Sequence, residues 1–151
     1  MKQGNLLIID DEVEILETLA VFLEDVALTI TAVDNGHKAL EVLKHQKIDC
    51  IVCDIRMPEM DGLQVIKAVR DLGLETPFIF FTAYGSEEII MEAVKFGAFD
   101  FISKPKFEAL TEIVANGLNA GIKMRTKVTT SVDQVVQEFK ELLGGNNSKA
   151  D

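Results

Sequence analysis

Short apolar runs alternate with longer amphipathic stretches along the first 121 residues of the chain. Leu6–Ile9 is an apolar run that ends at Asp10, and the stretch that follows has apolar residues at helical spacing. The same alternation recurs to about residue 122. It predicts five strands, at Leu6–Ile9, Leu28–Val33, Ile48–Asp54, Pro77–Thr82 and Phe99–Ser103, and five helices, at Glu12–Val26, Gly36–His45, Leu63–Leu72, Ser86–Phe96 and Phe107–Ile122.

This order of elements predicts an α/β fold. Strands that alternate with helices form βαβ units, which build a mostly parallel sheet covered on both faces. The nearly continuous apolar character of the first, third and fourth strands agrees with such burial. A flavodoxin-like (βα)5 doubly wound sheet with strand order 2-1-3-4-5 would make strands one and three neighbours. Ser86, followed by Glu87 and Glu88, is expected to cap the fourth helix.

The residues after position 121 differ from this pattern. Residues 122–151 are too few for a second globular domain, so we expect one domain over residues 1–121 and a C-terminal extension over 122–151. Ser131 and Gln134 match a capping box, and an apolar stripe follows. The pattern therefore predicts one amphipathic helix at about residues 131–143, ended by Gly144 and Gly145, and a disordered end at Asn146–Asp151.

The apolar stripe of that helix must be buried against something, and the candidates are its own domain, a symmetric partner chain or another protein. Dimerisation or self-docking is favoured over membrane contact. Lys140 is the only basic residue of the predicted helix, whereas interfacial anchors are rich in Lys and Arg.

Charge changes the picture of which partners the chain can bind. The formal net charge is −10, and residues 1–121 hold 10 Lys and Arg against 21 Asp and Glu. Such a domain repels a phosphate backbone, so no direct nucleic-acid binding is expected.

The amino terminus lacks a secretory signal, and no run approaches the roughly 20 apolar residues of a membrane span. We therefore expect a cytoplasmic protein.

Two cysteines form a Cys-x-x-Cys sequence, Cys50 to Cys53, inside the third predicted strand. Three strand steps place their Cα atoms about 10 Å apart with side chains on opposite faces. A disulfide needs less than about 7 Å. The pair is therefore interpreted as two small buried hydrophobic residues and not as a redox or metal site.

Polar residues follow four of the predicted strands at their carboxyl ends, where the functional crevice of an open parallel sheet lies. Asp10 and Asp11 follow the first strand, Asp54 ends the third, Thr82 ends the fourth and Lys104 follows the fifth. Three converging carboxylates repel one another, and a hard divalent cation resolves the repulsion. A nucleophilic carboxylate with a lysine and a hydroxyl donor is suited to phosphoryl transfer to an aspartate.

Four motifs carry a resemblance to a known family. Ile8–Glu12, Asp54–Gly62, Thr82-Ala83 and Lys104-Pro105 resemble the signatures of response regulator receiver domains, in that family's order and spacing. The resemblance covers about residues 5–121. It implies a phosphorylation-activated switch of a two-component system, modified by a histidine kinase or a phosphotransfer protein. It also implies Mg²⁺ as cofactor, with Mn²⁺ as an alternative.

The resemblance also implies roles for the residues that match the motifs. Asp54 is the expected phosphoacceptor. Asp11 is expected to bind Mg²⁺ directly and Asp10 partly through water, with the backbone carbonyl of Arg56 as a further ligand.

By the same resemblance, Thr82 and Lys104 take part in the reaction and contact the phosphoryl group. Thr82 and Phe101 form the conformational switch. The expected output is altered binding of a downstream protein through the face of helix 4, strand 5 and helix 5. A homodimer could form through that face or through the C-terminal helix.

The chain departs from the family pattern in two places. Lys106 stands between the Lys104-Pro105 motif and Phe107, where the family usually has an aromatic residue directly after the proline, and this puts the start of the fifth helix in question. Arg56 and Tyr84 occupy two positions that tune dephosphorylation in the family. Both are large, so we expect them to shield the acyl phosphate from water.

Three alternative interpretations remain at this stage. In the first, the acidic run Asp10-Asp11-Glu12 has no metal-binding role and merely caps the first helix. The domain could be an adaptor or dimerisation module that works without phosphorylation, although the full set of acids, Thr82 and Lys104 argues against it. An aspartate-based phosphohydrolase is expected to carry Asp-x-Asp-x-Thr after its first strand, whereas Glu12 and Glu14 stand there. We therefore expect a kinase substrate that catalyses only its own phosphorylation and dephosphorylation, and not a turnover enzyme.

Overall fold

The structure is a computed structural model that describes the backbone of residues 1–150 and the side chains of residues 1–127 and 132–144. In this part of the chain five strands alternate with five helices. The strands are β1 (Asn5–Ile9), β2 (Thr29–Val33), β3 (Cys50–Cys53), β4 (Phe78–Thr82) and β5 (Asp100–Ser103), and the helices are α1 (Val13–Leu23), α2 (Gly36–His45), α3 (Gly62–Asp71), α4 (Glu87–Lys95) and α5 (Phe107–Ala150).

All paired strands run parallel, and their order is β2-β1-β3-β4-β5. The predicted flavodoxin-like doubly wound sheet is therefore confirmed. The register pairs Ile9 with Cys53, so the residues that follow these two positions leave the sheet side by side at its carboxyl edge. Likewise Thr82 pairs with Ser103, one residue before Lys104.

The sheet is buried on both faces because its central strands are almost entirely apolar, apart from Asn5 at the start of β1 and Thr82 at the end of β4. One core contains Leu7, Ile9 and Phe80 and is covered by α2, α3 and α4. The other contains Leu6 and Phe81 and is covered by α1 and by the first part of α5. Each large apolar side chain buried in this way stabilises the fold by about 1.5–3 kcal/mol.

The two cysteines lie in different cores. Cys50 belongs to the core beneath α1 and α5 and Cys53 to the core beneath α2, α3 and α4, so the predicted placement on opposite faces of β3 is confirmed. Both are buried free thiols. Burial raises the pKa of the Cys50 thiol and that of the Cys53 thiol well above the ordinary value.

The bounds of most elements agree with the pattern to within two residues, and the cap of α4 is as expected. The Ser86 hydroxyl accepts a hydrogen bond from the backbone N–H of Ile89 at 3.2 Å. Helix α1 is shorter than predicted and ends at Leu23 instead of Val26. The N–H of Val26 bonds to the carbonyl of Leu23 at 3.0 Å, a tightened turn that stops the α-helical ladder.

An arginine ties three segments together at the amino edge of the sheet. Arg70, near the end of α3, donates hydrogen bonds to four backbone carbonyls at 2.8–3.2 Å, and the side chain is half-buried. These carbonyls belong to Leu74 and Thr76, which precede β4, and to Phe96 and Gly97, which precede β5. Gly97 has φ +74°, which places it in the left-handed region that ends α4.

The prediction that α5 ends at Ile122 and that a separate helix begins at Ser131 is wrong. Helix α5 runs from Phe107 to Ala150, because residues 123–131 contain neither glycine nor proline, so nothing breaks the backbone ladder there. Gly144 and Gly145, which were expected to end the helix, both lie inside it, since each glycine costs only about 1 kcal/mol.

The prediction of a disordered end at Asn146–Asp151 is also wrong for residues 146–150, because the helix continues to Ala150. Asp151 lies outside the described residues. The chain divides into two compact units, residues 1–121 and residues 122–151, and α5 contributes to both. None of the described helices is both long enough and apolar enough to span a membrane.

Candidate functional site

Two aspartates are placed next to each other by the backbone of the sheet. The N–H of Asp10 donates to the carbonyl of Val33 at 3.2 Å, and the N–H of Asp54 donates to the carbonyl of Ile9 at 3.1 Å. Both residues therefore continue the parallel ladder for one step beyond β1 and β3. Their side chains are 2% and 4% exposed. Burying two carboxylates side by side is unfavourable without a positive partner.

Lys104 supplies that partner. Its Nζ lies 2.8 Å from Oδ2 of Asp10 and 3.0 Å from Oδ2 of Asp54, and its side chain is only 12% exposed. The backbone N–H of Lys104 donates to the carbonyl of Thr82 at 2.9 Å, which fixes the start of the side chain at the end of β4. Three residues far apart in the sequence thus meet at the carboxyl edge of the sheet.

The second oxygen of each aspartate is held by the local backbone. Oδ1 of Asp10 accepts a hydrogen bond from the N–H of Glu12 at 2.9 Å, and Oδ1 of Asp54 accepts one from the N–H of Ile55 at 2.7 Å. Both carboxylates are therefore fixed in orientation by a neighbouring N–H on one side and the ammonium group of Lys104 on the other.

The pKa values of Asp10 and Lys104 are both raised, for different reasons. Burial raises the pKa of Asp10, and the hydrogen bonds from Lys104 and Glu12 only partly oppose this. Burial alone would lower the pKa of Lys104, but its hydrogen bonds to Asp10 and Asp54 outweigh burial and raise that pKa. Lys104 is therefore a permanent positive charge at neutral pH.

Three carboxylates can share one cation. One oxygen each of Asp10, Glu12 and Asp54 lies within 4.8 Å of the others, and oxygen ligands of this kind suit a hard divalent ion. Asp11, the predicted direct ligand, is exposed and is not part of this cluster. The backbone N–H of Glu12 donates a hydrogen bond to the carboxylate of Asp10, which forms a tight turn after β1. This turn accounts for the closeness of the Glu12 and Asp10 carboxylates.

Sequence reasoning therefore missed Glu12 as a site residue, although it recognised the acidic run that contains it. The signal that could have found it is the spacing. An aspartate that accepts a hydrogen bond from the N–H two residues on forms a tight Asx-type turn, and such a turn brings side chains two apart to the same side.

Thr82 and Phe101 occupy β4 and β5, as predicted. Thr82 is 2% exposed at the carboxyl end of β4, and its Oγ1 accepts a hydrogen bond from the N–H of Tyr84 at 3.1 Å. Phe101 is partly buried, and its ring centroid lies 5.6 Å from that of Phe80. A Cβ added at Gly85 would lie 3.0 Å from Cε1 of Phe101, so the loop after β4 passes directly over this ring.

The side chains of Arg56 and Tyr84 contact each other. The guanidinium carbon of Arg56 lies 4.1 Å from the centroid of the Tyr84 ring, in a cation–π arrangement. Both side chains are exposed, Tyr84 to 46%. Because each follows a central site residue by two positions, the contact joins the loops after β3 and β4.

The extra residue Lys106 does not delay the fifth helix, which begins at Phe107 as predicted. The Phe107 ring stacks on Phe22 of α1, with centroids 4.9 Å apart and 18° between the planes, and meets Phe81 edge-on at 5.3 Å. Beside this stack lies an open depression of about 450 Å³, lined by Phe22 and residues 105–109. Phe107 thus packs the start of α5 against α1 and β4.

A parallel sheet of order 2-1-3-4-5, with buried aspartates after β1 and β3 and a lysine after β5, defines the receiver class of signalling domain. The family model described as the response regulator receiver domain matches residues 6–115. This chain belongs to that family, and the resemblance inferred from the four motifs is confirmed.

Individual relatives agree with this assignment. The transcriptional regulatory protein ZraR of Escherichia coli is 35% identical over 101 residues, which cover 67% of this chain and 23% of that protein. The response regulator protein TodT of Pseudomonas putida is 30% identical over 134 residues, 89% of this chain and 57% of that protein. The chain thus corresponds to less than two thirds of either relative.

Among solved structures, the chemotaxis protein CheY4 of Vibrio cholerae superposes with a TM-score of 0.71 at 27% identity. The match covers 76% of this chain and 98% of that one. The domain is therefore the receiver module of two-component response regulators, in a fold shared with a chemotaxis protein.

Proposed function

We propose that this receiver domain is a switch that accepts a phosphoryl group on Asp54 from the phosphohistidine of a histidine kinase or a phosphotransfer protein. The observation that carries the proposal is the contact of Lys104 with Oδ2 of both Asp10 and Asp54. An isolated ion pair would need one carboxylate. A buried lysine shared by two aspartates beside a third acid is instead suited to balance the negative charge of an incoming phosphoryl group.

Asp54 is the nucleophile of the proposed reaction. One carboxylate oxygen forms a bond to phosphorus while the bond between phosphorus and the imidazole nitrogen of the donor breaks, and the electron pair of that bond returns to the imidazole. The N–H of Ile55 holds one oxygen of Asp54 at 2.7 Å. That contact fixes the rotation of the carboxylate, so the other oxygen is directed towards Lys104.

A divalent cation fits the donor set. Asp10, Glu12 and Asp54 offer converging oxygens, and Asp11 and the backbone carbonyl of Arg56 are the further ligands that the family resemblance implies. When bound, Mg²⁺ or Mn²⁺ neutralises negative charge on the oxygens of the phosphoryl group. Lys104 then balances the charge of that group from the β5 side, and the Thr82 hydroxyl donates a hydrogen bond to it from β4.

The proposed output is a change in protein binding. The exposed face of α4 and the residue before β5 carry apolar side chains, Ile90, Met91, Val94 and Phe99, which are 40–65% exposed. A hydrogen bond from Thr82 to the phosphoryl group would draw in the loop that covers Phe101, and the position of that ring would then alter this surface. The domain is proposed to be a substrate in signalling and not a turnover enzyme.

The test is uptake of label from a small phosphodonor in the presence of Mg²⁺. Wild type is expected to become labelled, and Asp54→Asn is expected to remain unlabelled. Asp71→Asn, an exposed change at the end of α3, is the matched control and should be labelled like wild type. Label on Asp54→Asn equal to that on wild type would remove the proposal.

A second measurement separates the switch from a phosphorylation-independent adaptor. Beryllofluoride with Mg²⁺ mimics the acyl phosphate, so amide resonances of the loops after β3 and β4 and of β5 should shift on titration. Spectra that stay unchanged at saturating beryllofluoride would favour the adaptor.

A further inference from the structure

The thiol of Cys53 contacts the backbone of the residue proposed to be phosphorylated. Cys53 is the last residue of β3, directly before Asp54, and it is fully buried. Its Sγ donates a hydrogen bond to the backbone carbonyl oxygen of Asp54 at 3.1 Å. A cysteine thiol is a weak donor, but here the acceptor is part of the functional site. Cys53 therefore does more than fill space in the core.

The carbonyl that accepts this bond belongs to the peptide group between Asp54 and Ile55. The N–H of the same peptide group donates to Oδ1 of Asp54 at 2.7 Å. One planar unit thus accepts from the thiol at its oxygen and donates to the carboxylate at its nitrogen. A hydrogen bond accepted at the oxygen polarises the peptide group and makes its N–H a stronger donor, because hydrogen bonds in a chain reinforce one another.

The start of α3 restricts the same peptide group from another side. A Cβ added at Gly62 would overlap the carbonyl oxygen of Asp54, so the backbone of α3 begins very close to that oxygen. The N–H of Gly62 donates to the carbonyl of Ile55 at 2.8 Å. The peptide group therefore has little freedom to turn, and a change at the thiol is passed on to the bond between the Ile55 N–H and the carboxylate.

Cys50, the other cysteine of β3, lacks this relationship to Asp54. It is as fully buried as Cys53, but it lies in the core beneath α1 and α5. A Cβ added at Gly117 of α5 would lie 2.7 Å from its Sγ. Three strand steps place the Cα atoms of the two cysteines about 10 Å apart, with side chains on opposite faces. The two thiols share a strand and a degree of burial, and only Cys53 contacts the backbone of Asp54.

We propose that Cys53 is a positioning residue for phosphoryl transfer to Asp54. Its thiol strengthens the hydrogen bond from the Ile55 N–H to Oδ1 of Asp54, and that bond keeps the carboxylate in the rotation that directs Oδ2 towards Lys104. Without the thiol the carboxylate turns more freely and spends less time in the orientation suited to attack. This inference deepens the proposed reaction at Asp54 and rests on it.

The first test is the maximal rate of labelling by a small phosphodonor at saturating Mg²⁺. Cys53→Ala and Cys53→Val both remove the donor, and the valine also fills the space that the alanine leaves empty. Each is expected to react roughly two- to fivefold more slowly than wild type, the change that corresponds to loss of one weak hydrogen bond. Cys53→Ser keeps a donor at this position and is expected to react at nearly the rate of wild type.

The matched control is Cys50→Ala, which removes the same atoms from the same strand on the face away from Asp54. It is expected to react like wild type. Equal rates for Cys53→Ser and Cys53→Val, or an equal loss of rate in Cys50→Ala and Cys53→Ala, would overturn the proposal. The contrast between serine and valine decides the question even where the alanine variant unfolds.

The second test is the amide proton resonance of Ile55 in the unphosphorylated protein, which reports the hydrogen bond to Asp54 without any phosphodonor. The resonance is expected to move upfield in Cys53→Ala and Cys53→Val and to stay near its wild-type position in Cys53→Ser and Cys50→Ala. A resonance that does not move in either of the first two variants would refute the role of Cys53. A wild type that takes up no label would instead refute the proposed reaction, so the two failures are distinguishable.

Discussion

The guanidinium carbon of Arg56 lies 4.1 Å from the centroid of the Tyr84 ring, and this contact joins the loop after Asp54 to the loop after Thr82. Arg56 follows Asp54 by two positions, and Tyr84 follows Thr82 by two positions. Their contact makes them one unit, because each side chain restricts the other.

We therefore predict that the acyl phosphate decays several-fold faster when either residue is replaced by alanine. Removal of one partner frees the other, so the double variant Arg56→Ala/Tyr84→Ala should decay no more than about twice as fast as either single variant, the non-additive behaviour of coupled residues. The measurement is loss of label from phosphorylated protein with time. Tyr84→Phe keeps the ring and should match wild type, and decay rates equal to wild type in all variants would refute the shielding role.

Replacement of Asp10 by asparagine is expected to stabilise the domain at neutral pH when metal is removed by a chelator. Burial raises the pKa of Asp10, so its charged form is disfavoured in the folded state, and this penalty is fully present above the folded-state pKa. The penalty disappears as pH falls through the raised pKa to below the ordinary value of 3.8. Asp54 remains as the partner of Lys104 in the variant.

The measurement is chemical unfolding of wild type and Asp10→Asn across a pH series. The advantage of the variant should be largest near neutral pH and should shrink in acid. A variant that is less stable than wild type at neutral pH would show that the ion pair with Lys104 outweighs the burial of the charge.

Arg70→Ala is expected to lower the free energy of unfolding by about 2–4 kcal/mol, because it leaves four backbone carbonyls without their shared donor. Arg70→Lys keeps the charge but loses the planar set of donors, so it should recover only part of the loss. Chemical denaturation measures both. The exposed variant Lys44→Ala, whose ion pair with Glu41 lies at the surface, should change stability by less than about 1 kcal/mol.

The thiols of Cys50 and Cys53 are expected to be unreactive in the folded protein at pH 8. Burial raises the pKa of both thiols, so neither forms the thiolate that attacks a disulfide reagent. Titration with such a reagent should show no rapid reaction in buffer and two reactive thiols in denaturant. Fast reaction of one thiol in the native state would show that β3 opens locally.

Much of the fold was predictable because the pattern of apolar runs and helical stripes is a local property. The strand order and the meeting of Asp10, Asp54 and Lys104 at one edge follow from the βαβ topology once the family motifs are recognised. Their separation of up to 94 residues is bridged by the sheet alone.

The features that the sequence did not predict depend on side-chain contacts or on competition between local signals. Glu12 takes a place in the acidic cluster because of a turn set by one hydrogen bond to Asp10. The capping signal at Ser131 was outweighed by a continuous backbone ladder on either side of it. The contact of Arg56 with Tyr84 depends on two loops that are 28 residues apart in the chain.

The four hydrogen bonds of Arg70 have a consequence for how the domain can respond. They join the segments that enter β4 and β5 at the edge of the sheet opposite the acidic cluster. Because the segments before β4 and β5 are anchored, the loops that follow these strands can move while the strands keep their register. Amide hydrogens near the arginine should then exchange slowly in every signalling state, and changes in exchange should concentrate at the opposite edge.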